Sequence, residues 1–309
     1  MTLLDRFTGA MVGLGVGDAL GMPAEFMRHS QIPIFFQGKI TDYEPSPKGT
    51  FELGEYTDDT CLSICIAESI IDLETVDIFD ISERFLNWLN EDGRGVGTLT
   101  YRALTLLEDG FSPEDSGRCA WETSGKNQAG NGAIMRTAPI GLFLYNNKKD
   151  LIKYTKNVCE ITHFDRRCVL STVAYNLALS GCVKGMDNQE IYDFISKICC
   201  GKDDEFDDFL YDAKNNKISY FILDDEKNMG YTYLTFSIAI SALFNYKNFE
   251  EPLIEIVNAG GDTDTNAAVA GALLGAKYGI DSIPLKWQHN LVGYSKLLNL
   301  GEEIYNLSK

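Results

Sequence analysis

The chain contains 309 residues, of which 45% are hydrophobic and 23% are charged, and this globular composition excludes disordered and fibrous proteins. Lysine and arginine number 27 against 45 aspartates and glutamates, so the formal net charge is −18 at pH 7. Nucleic-acid-binding proteins need basic surfaces to neutralise phosphates, and the acidic balance therefore excludes that class.

Helical periodicity dominates the chain. After Asp59, apolar residues recur at i, i+3, i+4 and i+7 as far as Leu73, which predicts an amphipathic helix. Similar stripes predict helices at roughly 2–20, 77–90, 149–160, 166–182, 188–199, 231–245, 251–258 and 265–278. We find neither a regular strand-like alternation nor a Pro-, Ser- or Gly-rich linker. We therefore predict an all-α fold, a compact multi-helix bundle in a single domain spanning residues 1–309.

The eight cysteines include no C-x-x-C pair, and several lie in apolar, helix-like stretches. This spacing predicts reduced structural thiols and a cytoplasmic protein. The apolar N-terminus carries Asp5, Arg6 and Asp18, which is untypical of a signal peptide. The uncharged run from Gly230 to Tyr246 is short for a bilayer and includes Ser, Thr and Asn residues, so it predicts a buried helix of a soluble protein.

The first segment of chemical interest is GDALGMPAEF (17–26). Pro23 is expected to end the first helix, which places Glu25 on a loop that can move over a cleft. A lone loop glutamate is more often solvated than catalytic, so the residue pattern alone leaves both roles open.

Two further segments, YTDDT (56–60) and GGDTDTN (260–266), each place two carboxylates beside threonine at a predicted helix start. Helix capping explains one aspartate in each segment, but it does not readily explain two. If the two helix starts meet, four carboxylates converge and repel one another, and a hard divalent cation with oxygen ligands would relieve that repulsion. Capping with solvation and a metal site both remain open from spacing alone.

Glycine-rich turns occur in GRGVGT (93–98) and GNGAIMR (130–136). Such turns at helix starts offer backbone N–H groups to phosphate, although a plain tight turn has the same sequence. His163, within ITHFD (161–165), lies in an apolar neighbourhood and is either a satisfied core residue or a ligand contact.

Taken in order, GVGDALGMPAEF, YTDDT, GNGAIMR, ITHFD and AGGDTDTNAAVAGALLGAKYG resemble the ADP-ribosylglycohydrolase family, which includes nitrogenase-type, serine-type and arginine-type members. The resemblance extends over residues 9–279. It implies an all-helical single domain with two Mg²⁺ or Mn²⁺ ions at the bottom of an ADP-ribose cleft.

Matched by position, the resemblance implies metal ligands at Thr57, Asp58, Asp59, Asp262, Asp264 and Thr265. It implies diphosphate and ribose contacts from Gly95, Gly97, Thr98, Ser124, Gly125, Gly130, Asn131, Gly132 and, on the ribose side, His163. Glu25 matches the glutamate proposed as acid/base in serine-type members. Glu25 and Asp59 are thus the catalytic candidates, with Asp59 acting electrostatically beside the metals.

One departure from the family pattern bears on the substrate. Nitrogenase-type and arginine-type members are expected to carry an aspartate in a D-I-G-like motif about where Gly95-Val96-Gly97 stands here, and Asp92 lies three residues before Gly95. The R-G-V-G-T run resembles the glycine loop of serine-type members instead. The resemblance therefore favours a mechanism built on Glu25.

The predicted function is metal-dependent hydrolysis of the glycosidic bond between ADP-ribose and an acceptor, with an O-linked protein side chain such as serine favoured. The alternatives are an ADP-ribosylarginine hydrolase, a non-catalytic ADP-ribose-binding protein on the same fold, and a two-metal phosphatase or nucleotide hydrolase. The expected partner is an ADP-ribosylated protein or a small-molecule ADP-ribose conjugate, with neither nucleic acid nor membrane.

Overall fold

The structure is a computed structural model that describes residues 1–47 and 49–309. The described residues form sixteen α-helices and one small antiparallel sheet. The first eight helices are α1 (Leu3–Gly21), α2 (Ile32–Phe35), α3 (Asp58–Leu73), α4 (Ile78–Glu91), α5 (Thr98–Glu108), α6 (Pro113–Thr123), α7 (Ala138–Phe143) and α8 (Lys148–Glu160). The remaining helices are α9 (Arg166–Val183), α10 (Asn188–Cys199), α11 (Asp204–Asn215), α12 (Thr232–Asn245), α13 (Glu250–Ala259), α14 (Thr263–Tyr278), α15 (Leu285–Asn290) and α16 (Tyr294–Leu307).

The all-α prediction is confirmed, and each of the nine predicted helices is present, as α1, α3, α4, α8, α9, α10, α12, α13 and α14. The prediction missed four helices of eleven residues or more, namely α5, α6, α11 and α16. It also missed the sheet, because strands of two residues are too short to show an alternating pattern.

Helices α1 and α14 pack against each other through a glycine seam, formed by Gly9, Gly13, Gly17 and Gly21 of α1 with Gly271 and Gly275 of α14. A Cβ atom on Gly17 would lie 2.0 Å from the carbonyl oxygen of Ala267, and one on Gly21 would lie 2.3 Å from that of Thr263. Only hydrogen fits between backbones this close. The glycine seam therefore brings the C-terminal end of α1, including Asp18, against the start of α14.

The sheet holds the segment that follows α1 against the start of α14. Strand β1 (Met27–Arg28) pairs antiparallel with β2 (Gly260–Gly261), and Met27 lies opposite Gly261. Just before β1, the backbone N–H of Phe26 donates to the Gly261 carbonyl at 2.7 Å. Glu25 is thus held close to the first turn of α14.

The eight cysteines, all within the described residues, are free thiols, and most are buried. No helix in residues 1–47 or 49–309 combines the length and the apolar character needed to cross a membrane. The uncharged run from Gly230 to Tyr246 forms α12, which is buried along nearly all of its length, as predicted.

Candidate active site

The starts of α3 and α14 meet at the C-terminal end of the glycine seam. The hydroxyl of Thr265 donates to Asp59 Oδ2 at 3.5 Å, and the hydroxyl oxygen of Thr57 lies 3.3 Å from the same oxygen. Four carboxylates are buried around this contact, those of Asp58, Asp59, Asp262 and Asp264. The two segments therefore converge in space, which spacing alone left as an assumption.

Capping does not explain the two segments. Thr57 is the N-cap residue of α3 and Asp262 that of α14, yet neither side chain makes a capping hydrogen bond. Asp18 caps α3 from a different helix instead. Its Oδ1 accepts from the Thr57 N–H and its Oδ2 from the Thr60 N–H, each at 3.0 Å. Capping therefore does not occupy either side chain: Asp262 lines the cavity described below, whereas the Thr57 hydroxyl bonds to Asp18.

Asp18 is a site residue that the sequence analysis did not assign. Its two oxygens also accept from the hydroxyls of Thr57 at 2.9 Å and Thr60 at 2.6 Å. Burial raises the pKa of Asp18 to about 6, although these four hydrogen bonds act to lower it. Carboxylate oxygens of Asp18, Asp59 and Asp264 lie within 4.8 Å of one another, close enough to hold a metal ion. Because each Asp18 oxygen already accepts two hydrogen bonds, we interpret Asp18 as the residue that positions Thr57 for the ligand cluster.

Asp18→Ala is expected to lower the free energy of unfolding by about 2–4 kcal/mol, because it leaves buried N–H and hydroxyl donors without partners. It should also weaken Mg²⁺ binding, since Thr57 loses its support. Urea denaturation and Mg²⁺ titration measure the two effects. The control is Asp187→Ala, which removes the exposed cap of α10. A loss of Mg²⁺ affinity no larger than that of the control would contradict the assignment.

A cavity of about 230 Å³ opens above the carboxylates. Its lining contains most of the predicted site residues: Glu25, Asp58, Asp59, Gly95, Gly97, Thr98, Gly130, Asn131, Gly132, His163, Asp262, Asp264 and Thr265. The lining also includes Phe26, Leu99, Thr100, Gln128 and Met135, which the sequence analysis did not single out. A larger cavity of about 930 Å³ beside α13 contains none of the predicted residues.

Three predicted residues lie outside the cavity lining. Thr57 is buried against Asp18. Ser124 and Gly125 follow the C-terminal end of α6, where Ser124 Oγ accepts a hydrogen bond from Arg102 at 2.7 Å. Contact of Ser124 and Gly125 with a substrate stays a prediction.

Burial and repulsion by neighbouring carboxylates raise the pKa values of Asp58, Asp59 and Asp264. Burial first, and then the charges of Asp18, Glu25 and Asp262, raise the pKa of Asp58 to about 8. The same kinds of cause hold the pKa values of Asp59 and Asp264 well above the ordinary range. The Oδ1 atom of Asp59 is buried and accepts no hydrogen bond from the described residues. Crowded carboxylate and hydroxyl oxygens with an unpartnered member fit a hard divalent cation.

The metal-free protein should lose stability as the pH rises from about 5 to about 8. Unfolded aspartates titrate near 3.9, whereas the pKa of folded Asp58 is about 8, so the folded state binds more protons across this window. Mg²⁺ should reduce the slope and release protons on binding, because bound carboxylates are ionised. Urea denaturation at several pH values, with EDTA and with Mg²⁺, compares the two slopes. A metal-free slope no steeper than the Mg²⁺ slope would contradict the raised pKa values.

Glu25 lies at the mouth of the cavity, where it is exposed. Helix α1 ends at Gly21, and a 3₁₀ turn over Met22–Ala24 follows, so the helix ends before Glu25 as expected from Pro23. The charge of Glu25 is among the causes that raise the pKa values of Asp58 and Asp264. The carboxylate is therefore within electrostatic reach of the buried cluster.

The two glycine-rich loops approach the side chains of the cavity at very short distances. Gly95 has a φ of +86°, and a Cβ there would lie 2.6 Å from Asp58 Oδ1. A Cβ on Gly132 would lie 2.8 Å from Cε1 of His163. Between these glycines and α14, Asn131 Nδ2 donates to Asp262 Oδ2 at 2.8 Å. The loops thus pack directly on the carboxylates and on His163, which a plain surface turn would not do.

Comparison with known proteins agrees with this geometry. The family model for ADP-ribosylglycohydrolase matches residues 1–309. The chain is 30% identical to the ADP-ribosyl-[dinitrogen reductase] glycohydrolase of Rhodospirillum rubrum, over 93% of this chain and 90% of that protein. It is 27% identical to the ADP-ribosylarginine hydrolase Tri1 of Serratia proteamaculans, over 99% of this chain and 80% of that protein.

The fold has a match among solved structures. A chain of an ADP-ribosylglycohydrolase-related protein complex superposes with a TM-score of 0.84 and 28% sequence identity, covering 99% of both chains. Fold, family model and sequence relatives therefore agree along the whole chain. The chain belongs to the ADP-ribosylglycohydrolase family and is a hydrolase of ADP-ribose linkages.

Proposed function

We propose that this enzyme hydrolyses the glycosidic bond between ADP-ribose and an O-linked acceptor, such as a serine side chain, with two Mg²⁺ or Mn²⁺ ions. The observation that carries the choice of linkage is the packing of Gly95 on Asp58. A Cβ on Gly95 would lie 2.6 Å from an Asp58 oxygen, so the loop has no room for a carboxylate side chain there. The acid/base role then falls to Glu25 across the cavity.

The carboxylate nearest to that loop in sequence is otherwise engaged. Asp92 accepts from Arg94 through both oxygens, at 2.5 Å and 3.1 Å. The hydrogen bonds and charge of Arg94 hold the pKa of Asp92 below its ordinary value. Asp92 is also absent from the cavity lining. These contacts count against Asp92 as a proton donor at the reacting bond.

The site residues would have separate roles in this proposal. Six of them would hold the metal ions: Thr57, Asp58, Asp59, Asp262, Asp264 and Thr265. Divalent ions in this place would supply Lewis-acid polarisation and orient the ribose hydroxyls. Backbone N–H groups of the loops at 93–98 and 130–132 would face the diphosphate.

Proton transfer is the role of Glu25 in this proposal. Glycosidic cleavage passes through an oxocarbenium-like state that needs a protonated leaving oxygen and an activated water. Glu25 is exposed at the mouth of the cavity, where an acceptor side chain would arrive. The buried carboxylate of Asp59 would contribute negative charge that favours the positive charge developing at the anomeric carbon. The substrate would be an ADP-ribosylated protein or a small-molecule conjugate, and the site of action the cytoplasm.

Incubation with serine-, arginine- and acyl-linked ADP-ribosyl substrates tests the proposal, with free ADP-ribose as the readout. We expect release from the serine-linked substrate to be fastest. Faster release from the arginine-linked substrate would favour the activity for which the Serratia relative is named. Binding of ADP-ribose without any release would favour a non-catalytic reader, and free phosphate would favour a phosphatase.

Mg²⁺ and ADP-ribose together should raise the melting temperature by more than the sum of their separate shifts. Each ligand stabilises the native state by mass action. If ribose hydroxyls contact the metal site, the two binding events are coupled, and the coupling is reciprocal. A two-dimensional thermal titration measures it, with AMP in place of ADP-ribose as the control. Additive shifts would show that the sugar and the metal do not touch.

A further inference from the structure

His163 is supported from its buried side by two hydrogen-bonding groups. Arg136 Nη2 donates to Thr162 Oγ1 at 2.7 Å, and Thr162 Oγ1 in turn lies 2.7 Å from Nδ1 of His163. All three side chains are buried, but only His163 lines the cavity. His163 is therefore the member of this hydrogen-bonded chain that can contact a ligand directly.

The hydroxyl hydrogen of Thr162 decides which ring nitrogen of His163 carries the proton. A guanidinium can only donate, so Thr162 Oγ1 accepts from Arg136. The hydroxyl hydrogen then needs an acceptor, and Nδ1 of His163 is the one that the described residues place within hydrogen-bond reach. A proton on Nδ1 would leave the buried hydroxyl hydrogen unpaired, which is unfavourable. The arrangement thus favours a bare Nδ1 and a protonated Nε2.

Arg136 is an unusual residue to find in this position. It is fully buried, and its Nε and Nη1 atoms have no hydrogen-bond partner among the described residues. Its guanidinium lies 4.7 Å from the ring centre of Phe85. Burial, together with the charge of Arg136, lowers the pKa of His163 to about 3, so the imidazole is neutral at pH 7. Burying an arginine this way is costly, and its clearest polar contact is the hydroxyl that meets His163.

We propose that Arg136 and Thr162 are positioning residues that hold His163 as the neutral tautomer with its proton on Nε2. In that state Nε2–H is a fixed donor beside Gly130 and Gly132 of the cavity lining, since a Cβ added to these glycines would lie 3.5 Å and 3.1 Å from Nε2. The acceptor would be an oxygen atom of the ADP-ribose moiety. The identity of this ligand rests on the proposed function, whereas the tautomer does not.

NMR of the full chain with ¹⁵N-labelled histidine tests the tautomer without any ligand. The chain has three histidines, and the other two, His29 and His289, are exposed. Substituting His29→Gln and His289→Gln assigns the spectra. We expect His163 to show a protonated Nε2 and a bare Nδ1, unchanged between about pH 5 and 8. A proton on Nδ1 of His163 would overturn the proposal.

Thr162→Val and Thr162→Ser form the matched pair for the role of the hydroxyl. Valine keeps the branched shape but removes the donor, so the Nε2-protonated fraction should fall. Serine keeps the hydroxyl and should restore it. Arg136→Met removes the guanidinium at similar length, and the Thr162 pair still decides the matter if that variant fails to fold. An unchanged tautomer in Thr162→Val would show that the hydroxyl does not set it, and would overturn the proposal.

ADP-ribose affinity, measured by calorimetry on the same variants, links the tautomer to the cleft. Thr162→Val should weaken binding about tenfold, the change expected when one hydrogen bond is lost. Thr162→Ser should stay within about twofold of the parent chain. Equal affinities for valine and serine would overturn the positioning role. If the parent chain binds no ADP-ribose, the proposed function fails, while the NMR result still judges the tautomer.

Discussion

Asp58→Asn and Asp262→Asn should each lower turnover by orders of magnitude while leaving the helical fold intact. Each change removes one carboxylate from the buried cluster that we propose binds dications, so metal affinity should fall first, and high Mg²⁺ should restore part of the activity. Turnover measured across a Mg²⁺ titration separates weaker metal binding from slower chemistry. The charge-matched control is Asp281→Asn, at an exposed aspartate outside the cavity lining.

The same two variants are expected to lose turnover but not thermal stability when metal is absent. Without metal, burial and then the neighbouring carboxylates raise the pKa of Asp58 to about 8. Above about pH 8, Asp58→Asn therefore removes a buried charge, and Asp262→Asn removes one of the charges that raise this pKa. In EDTA, Asp58→Asn and Asp262→Asn should therefore melt at or above the temperature of the parent chain. Near-parental turnover of both variants at low Mg²⁺ would rule out the metal site. A large drop in the EDTA melting temperature would show that the carboxylates stabilise the fold instead.

Glu25→Gln should lower kcat by about 10²–10⁴-fold, the usual contribution of general acid–base catalysis. Glutamine keeps the shape and one acceptor oxygen but cannot transfer the proton, so KM should change little. Steady-state kinetics on the serine-linked substrate measures both constants. The matched control is Glu226→Gln, at an exposed glutamate that pairs with Arg28 at 2.5 Å near Phe26.

Two outcomes would defeat the assignment of Glu25. Full activity of Glu25→Gln would show that no proton passes through this side chain. A clear preference of the parent chain for ADP-ribosylarginine would contradict the O-linked substrate. Either result would turn attention to Asp92 and to the aspartates of the metal cluster.

Periodicity was sufficient for the helices that carry the site, but not for all helices. The stripe after Asp59 and the small apolar residues after Asp264 predicted α3 and α14 to within two residues. Helix α16 carries a similar stripe, including Leu297, Leu300 and Ile304, which our prediction overlooked. Helix α6 is harder to predict, because it begins at a proline and its four buried residues, Pro113, Ser116, Gly117 and Ala120, are too small to form an apolar stripe.

For the site, the sequence predicted the residues that line the cavity better than the buried residues that support them. Threonine and aspartate beside glycine indicated the residues that converge, and the cavity lining contains most of them. Asp18 escaped assignment because its role depends on a contact between residues 39 positions apart, with Thr57. The available signal was a single carboxylate within residues 9–21, a stretch of α1 that is otherwise apolar. Arg136 and Thr162 escaped for the same reason, since only the fold places them behind His163.

The glycine seam limits how this protein can be engineered for heat resistance. Replacing glycine by alanine often raises stability by restricting the unfolded chain. In the seam the added methyl group would meet backbone at 2.0–2.4 Å in α1, so the exchange would push α1, with Asp18, away from the start of α14, where Asp262, Asp264 and Thr265 lie. Elsewhere, the glycines with open space around the Cβ position have positive φ, except Gly97, which lines the cavity. A thermostable variant will therefore have to come from other substitutions, such as surface charges and helix caps, and glycine-to-alanine libraries should return mostly inactive clones.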